Sequence, residues 1–219
     1  MEKARQLPCD AIIFDLEDAV AANRKVQARS LIIDSIIQKN YGNRLLIVRI
    51  NRLDSILGEE DLKSLTEVEV DAICLPKVES SDEIEHANSR VRAHLNRELP
   101  LWPMIETCEG VERSVEIASS VSVEALVLGT TDLSFRLGLP KSNEGQRVGL
   151  HYSLSRCVLA ARLAEIQVFD GVFLDISDQA ILKEHCEEAK RFGFDGKTLI
   201  HPTQIETANH IFGPSIQDI

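Results

Sequence analysis

No stretch of the 219 residues approaches the ~20 consecutive apolar positions that a membrane-crossing helix needs, so a bilayer is not an expected partner. The opening MEKARQLPCD carries charge but no apolar core, and no secretory leader is expected there. Positive charge is also scarce. Against 35 Asp and Glu stand 24 Lys and Arg, a net charge of -11. A general nucleic-acid binder needs a basic surface to displace counterions, so nucleic acid is not expected as a partner either. A local Arg or a bound cation can still recruit a small anion. Cysteine pairs are missing: Cys9, Cys74, Cys108, Cys157 and Cys186 are scattered, mostly among apolar residues, with no CxxC. They read as free thiols in a reducing compartment, which places the protein in the cytoplasm. Nor does a glycine-rich dinucleotide turn follow the first apolar run.

What is present is a rhythm. At 44% hydrophobic and 27% charged residues, the chain can bury one sizeable core. Short apolar runs at 10–17, 44–51, 71–78, 99–107, 123–132, 169–175 and 197–202 read as strands. Helical patterns fall at 25–39, 80–95, 150–166 and 178–194. The first of these puts Ala28, Leu31, Ile32, Ser35 and Ile36 on one face, and the last ends at Gly193. Nearly continuous apolar strands alternating with helices predict an α/β fold with a parallel, covered sheet. The expected architecture is a TIM (β/α)8-type barrel in a single domain over 1–219, with its first strand absent. A doubly wound open sheet is the rival, and the absent glycine-rich turn disfavours it.

In such a barrel the chemistry sits where strands end. The tips read Glu17 and Asp18, Arg49 and Asn51, Lys77 and Glu79, Glu106 and Thr107, Thr131 and Asp132, Asp175, and His201. Carboxylates converging on one mouth repel each other unless a cation neutralises them. Oxygen donors without paired His or Cys point to Mg2+, or Mn2+, rather than zinc. Glu106 and Asp132, ending adjacent strands beside small residues, are the expected ligands. Glu17 and Asp18 are expected behind them, bonding metal-bound water or orienting basic residues. Each residue also has a plainer reading. Glu106 could pair with Arg49 or Lys77, and Asp132 could cap a helix before LSFRLG. Lys77 could be a core cation balancing the acids, and His201 before Pro202 reads as structural. Trp102 and Met104 read as barrel filling. The planar fork of Arg49 suits a substrate carboxylate or thioester oxygen.

The segments DAIIFDLEDAV, VRIN, LPKVES, IETCEGV, LGTTDLS, FDGVFLDISD and GFDGKTLIHPTQI occur in the order found in the citrate lyase beta-subunit-like proteins. The chain resembles that acyl-CoA lyase branch of the HpcH/HpaI aldolase superfamily, which includes malyl-CoA and citramalyl-CoA lyases. The resemblance implies a TIM barrel, Mg2+, trimers or hexamers, and cleavage of a citryl-, malyl- or citramalyl-CoA thioester into an acyl-CoA and a 2-keto acid. It implies metal ligation by Glu106 and Asp132, substrate contact by Arg49, and a supporting role for Glu17 and Asp18. Taken with the strand-end reading, the expected catalytic set is Arg49, Glu17 and Asp18, and the expected substrate contacts are Arg49, Glu106 and Lys77. Two family features are expected to be lacking: a first strand with basic residues for the coenzyme phosphates, and a C-terminal lid carrying a catalytic Asp. A metal-dependent aldolase of small 2-keto acids that does not use coenzyme A, and a non-catalytic subunit or fragment, are the alternatives.

Overall fold

The structure is a computed structural model that describes residues 2–38, 40–140 and 147–214. Its strands are β1 (Ala11–Asp15), β2 (Leu45–Arg49), β3 (Ala72–Leu75), β4 (Leu101–Ile105), β5 (Ala125–Leu128), β6 (Gln167–Asp170) and β7 (Gly196–Lys197). Helices follow or separate them: α1 (Lys25–Ile37), α2 (Ile56–Ser64), α3 (Ser81–Leu95), α4 (Cys108–Glu112), α5 (Ser114–Ala118), α6 (Thr130–Arg136), α7 (His151–Leu163), α8 (Gln179–Phe192) and α9 (Ile205–Phe212). All seven strands are parallel and stand in chain order, β1-β2-β3-β4-β5-β6-β7.

The sheet curls until its two ends approach. Asn209 on α9 donates to the carbonyl of Pro8, just before β1, at 2.7 Å. Among the described residues β7 and β1 do not pair, so the expected (β/α)8 barrel is corrected to a curled, seven-stranded half-barrel. No described helix is long and apolar enough to cross a membrane.

Two apolar layers hold the sheet. Ile47, Ala72, Cys74, Trp102, Ala125 and Val127 fill its concave side, where Trp102 stacks on Phe169 with ring centroids 5.1 Å apart. Val48, Ile73, Leu126 and Val168 point the other way into the larger core beneath the helices. Local signals fix the helix ends. Ser80 caps α3 by accepting from Glu83 N, and Asn96 closes it in the left-handed region. Asp178 caps α8, and Gly193 at φ 98° ends it where the sequence places the stop.

Four expectations need correction. The run at 197–202 pairs only at Gly196–Lys197, and the run at 123–132 only over Ala125–Leu128, its last three residues opening α6. The strand expected at 169–175 runs instead from Gln167 to Asp170. Phe173 leaves the sheet for a satellite cluster with Leu182, Cys186, Ala208 and Ile211. On α1 the buried positions are Lys25, Ile32, Ile33, Ser35 and Ile36, while Leu31 faces outward. Of the cysteines, Cys74, Cys157 and Cys186 are buried, Cys9 is half-buried and Cys108 is exposed, all as free thiols.

Candidate active site

Alternation along each strand decides which side chains reach the concave face. On β4 that face carries Trp102 and Met104, and one step further Glu106. On β5 it carries Ala125 and Val127, then Gly129. On β1 it carries Ala11 and Ile13, then Asp15, then Glu17. The ladder continues past the strands, with Leu16 N bonding Arg49 O at 2.8 Å and Gly129 N bonding Ile105 O at 3.0 Å. The tips are therefore held by backbone, not left as free loops.

Arg49 lies beside Asp15 in register. Its Nε donates to Asp15 Oδ1 at 2.7 Å and its Nη2 to Asp15 Oδ2, a two-pronged ion pair. Its remaining nitrogen, Nη1, is 3.4 Å from Glu17 Oε2 and donates to Met104 Sδ at 3.4 Å. Asp15 also accepts from the backbone N–H of Glu17 (2.8 Å) and of Ala19 (3.1 Å). Burial alone would raise the Asp15 carboxyl; the Arg49 fork overrides it and holds the group below the usual carboxylate range. Burial would likewise lower Arg49, and Asp15 raises it instead.

Lys77 adopts a left-handed backbone, φ 53°. That turn aims its two ends at different acids. Its N–H donates to Glu106 Oε1 at 2.9 Å, while its Nζ bonds Glu17 Oε1. The same ammonium is 3.2 Å from Asp18 Oδ2 and 3.8 Å from Asp132 Oδ2. Lys77 is raised in pKa because these acids outweigh its burial.

Glu106 is 3% exposed and packs where position 129 has no side chain. A Cβ there would overlap Glu106 Cβ and Oε2, so only glycine leaves room for this carboxylate. Its pKa is lifted from 4.5 to about 7, chiefly by burial. Lys77 pulls it down; the neighbouring charges of Asp132 and Glu17 push it further up. Glu17 too is raised, again chiefly by burial, against the opposing pull of Lys77.

The structure thus brings Glu17, Asp18, Arg49, Lys77, Glu106 and Asp132 to one mouth. Glu106 does not pair with Arg49, which is taken by Asp15. Asp132 is not a helix cap: it is the third residue of α6, whose N-cap is Gly129 and carries no side-chain cap bond. Asp175 and His201 do not join the mouth group in any described contact. Asp175 is exposed and bonds Ser177, closing its own turn. His201 caps a short helical turn by accepting from Thr203 N, a structural role as expected.

Sequence reasoning missed Asp15, although period-two spacing from Glu17 marks it as facing the same way. It also missed a second charged group behind the sheet. Asp170 ends β6 but points toward the helices, where it binds Arg147 Nη1 at 2.8 Å and Lys197 Nζ at 2.5 Å. Glu188 on α8 completes that group, accepting Arg147 Nε at 2.7 Å and lying 2.9 Å from His151 Nε2.

Residues 1–202 match the HpcH/HpaI aldolase/citrate lyase family, and the chain belongs to that family. Over all 219 of its residues it is 42% identical to a (3S)-malyl-CoA thioesterase of Cereibacter sphaeroides (strain KD131 / KCTC 12085), covering 74% of that protein. It is 34% identical to the citrate lyase subunit beta of Escherichia coli (strain K12), with 97% of this chain and 72% of that one aligned. Among solved structures it is similar to CitE of Mycobacterium tuberculosis in complex with magnesium, acetoacetate and coenzyme A. The TM-score is 0.80 at 29% identity, covering 95% of this chain and 74% of that one.

Proposed function

We propose that the protein is a Mg2+-dependent carbon–carbon lyase. It splits a 3-hydroxyacyl-CoA thioester of the malyl, citramalyl or citryl type into an acyl-CoA and a 2-keto acid. The observation that carries this reading is Glu106: a buried acid with its pKa lifted to about 7, beside Asp132, in a group where acids outnumber bases. Such a group is short of positive charge. The M. tuberculosis relative, bound to magnesium, acetoacetate and coenzyme A, supports the choice of ion and ligands.

The residues fit the ion. Among the described residues no set of three or more His, Cys, Asp or Glu converges on a point. Two carboxylates, Glu106 and Asp132, are what Mg2+ takes from a protein when water and substrate fill the rest of its octahedron. Gly129 leaves the space in which Glu106 Oε2 sits. Bound there, Mg2+ supplies a Lewis acid and a chelating template for the keto-acid half.

The chain's own groups do the rest. In cleavage the hydroxyl proton leaves to a base, the carbon–carbon bond breaks to give the keto acid, and its electron pair passes to the thioester as an enolate, which takes a proton at carbon to leave the acyl-CoA. Arg49, permanently charged and locked by Asp15, is placed to stabilise that enolate oxygen without reorganising. Glu17 has both oxygens engaged: Oε1 with Lys77, and Oε2 with Asp18 N at 2.8 Å. We therefore assign it to holding Lys77 and Arg49. Asp18, exposed at the mouth, takes the hydroxyl proton. Lys77 steadies the acids and contacts the substrate.

The test is product analysis with malyl-CoA, citramalyl-CoA and citryl-CoA in the presence of Mg2+. Formation of a keto acid with an acyl-CoA is expected, and no product from any of the three refutes the reading. One observation favours a second reading: the 42% identical relative is a thioesterase. Malyl-CoA separates the two. Lysis gives glyoxylate and acetyl-CoA; hydrolysis gives malate and free thiol with no glyoxylate.

A further inference from the structure

Lys25 is a lysine where the helix pattern calls for an apolar residue. It opens α1, is 6% exposed, and directs its ammonium at the back of the β1 tip. All three of its protons have acceptors: Leu16 O at 2.6 Å, Glu17 O at 2.7 Å and Asn51 Oδ1 at 2.9 Å. Behind it the bonding continues. Asn51 Nδ2 donates to the same Leu16 carbonyl at 2.9 Å and to Asp61 Oδ2 at 2.5 Å. The other oxygen of Asp61 receives Arg29 Nε at 2.7 Å. A buried polar chain, Arg29–Asp61–Asn51–Lys25, thus joins α1, α2 and the end of β2 to two backbone carbonyls.

Burying an ammonium is expensive unless every proton is bonded, and a methionine could cover the same apolar surface without that penalty. The landing points explain the lysine. Leu16 and Glu17 are the first two residues beyond β1, where the chain leaves the ladder after its bond to Arg49 O. Two of the three ammonium bonds clamp this two-residue step. From it the Glu17 side chain emerges toward Lys77 and Arg49.

We propose that Lys25 is a positioning residue of the active site: its ammonium fixes the Leu16–Glu17 backbone and so aims the Glu17 carboxylate at Lys77 and Arg49. It works from the helix side of the strand and touches no substrate. The inference rests on the active-site reading above.

The test is Lys25→Met, which keeps the aliphatic stem. Its crystal structure is expected to show the Glu17 carboxylate withdrawn from Lys77 Nζ. Turnover should fall about tenfold to a hundredfold, the scale of a small misplacement in a catalytic constellation. Mn2+ affinity by paramagnetic resonance should stay near wild type, because Glu106 and Asp132 hang from β4 and α6. The Glu17→Gln, Lys25→Met double variant should be no slower than Glu17→Gln alone. An unmoved Glu17, or losses that multiply in the double variant, overturns the proposal. Should the Met variant not fold, Lys25→Gln, whose amide still donates to one carbonyl, is read the same way. Should wild type turn over none of the thioesters, the reading of the activity fails. The position of Glu17 in the variant structure still decides this proposal.

Discussion

Two charged groups of the half-barrel, one behind the sheet and one at its mouth, behave in opposite ways. Behind the sheet, Asp170 and Glu188 face Arg147 and Lys197, two acids against two bases. Burial would raise both acids, yet the bases override it and both lie below the usual carboxylate range. At the mouth, Asp15, Glu17, Asp18, Glu106 and Asp132 share, among the described residues, Arg49 and Lys77. There Glu106 and Glu17 rise instead. The residue types are the same, and the balance of sign differs. A neutralised group joins β6 and β7 to the helices; an acid-rich one is left short of positive charge, the deficit on which the proposed metal site rests.

The comparison can be broken most directly at Asp170. Asp170→Asn leaves Arg147 and Lys197 buried with one counter-charge fewer, which should destabilise the fold by about 3–5 kcal/mol in denaturant melts. Mn2+ affinity should be unchanged, and a loss within experimental error would show that the rear group is not the brace described. Next in size is Glu106→Gln, with the opposite sign. In the folded chain Glu106 holds its proton up to about pH 7, against 4.5 when free. Metal-free wild type therefore loses stability as pH rises from about 4.5 to about 7, and the loss is complete above that. A glutamine does not titrate, so the variant should gain up to about 3 kcal/mol near pH 8. That gain should vanish at and below about pH 4.5. A difference independent of pH contradicts the raised pKa of Glu106.

The same carboxyl sharpens the comparison by titration. Metal needs it ionised, so Mg2+ or Mn2+ affinity should weaken about tenfold per pH unit below about 7. Calorimetry across that range reads it directly, and a flat profile would remove Glu106 from the ligand set. The smallest effect serves as the reference. Ser80→Ala removes the α3 cap and should cost about 1 kcal/mol. The Ser80 hydroxyl bonds only the backbone of Glu83 among the described residues, so the variant should do so equally at every pH and leave metal binding alone.

Much of this was legible before any coordinates. Strands β3 to β5 are almost wholly buried and read as apolar runs; β1 and β2 read the same way though only partly buried, and the ends of the runs carried Glu17, Arg49 and Glu106 to one mouth. Period alone could not set the sixth strand. Val172, Phe173 and Leu174 look like strand, but pairing begins earlier, with Gln167 N on Glu124 O at 3.2 Å. That shift turned Asp170 to the helix side and left Asp175 to its own turn. The partner of each charge was equally hidden. Spacing gives the face of a residue and not its mate, so the locking of Arg49 by Asp15 and the burial of Lys25 came only with the fold.

Lys77 shows what the site asks of the backbone. A left-handed φ of 53° suits glycine, and an L side chain there raises the energy by about 1–2 kcal/mol. Foldability by itself would favour the residue without a side chain at this bend. The chain instead keeps a long, flexible cation at a left-handed torsion, so here the demands of assembly and of chemistry diverge within a single residue.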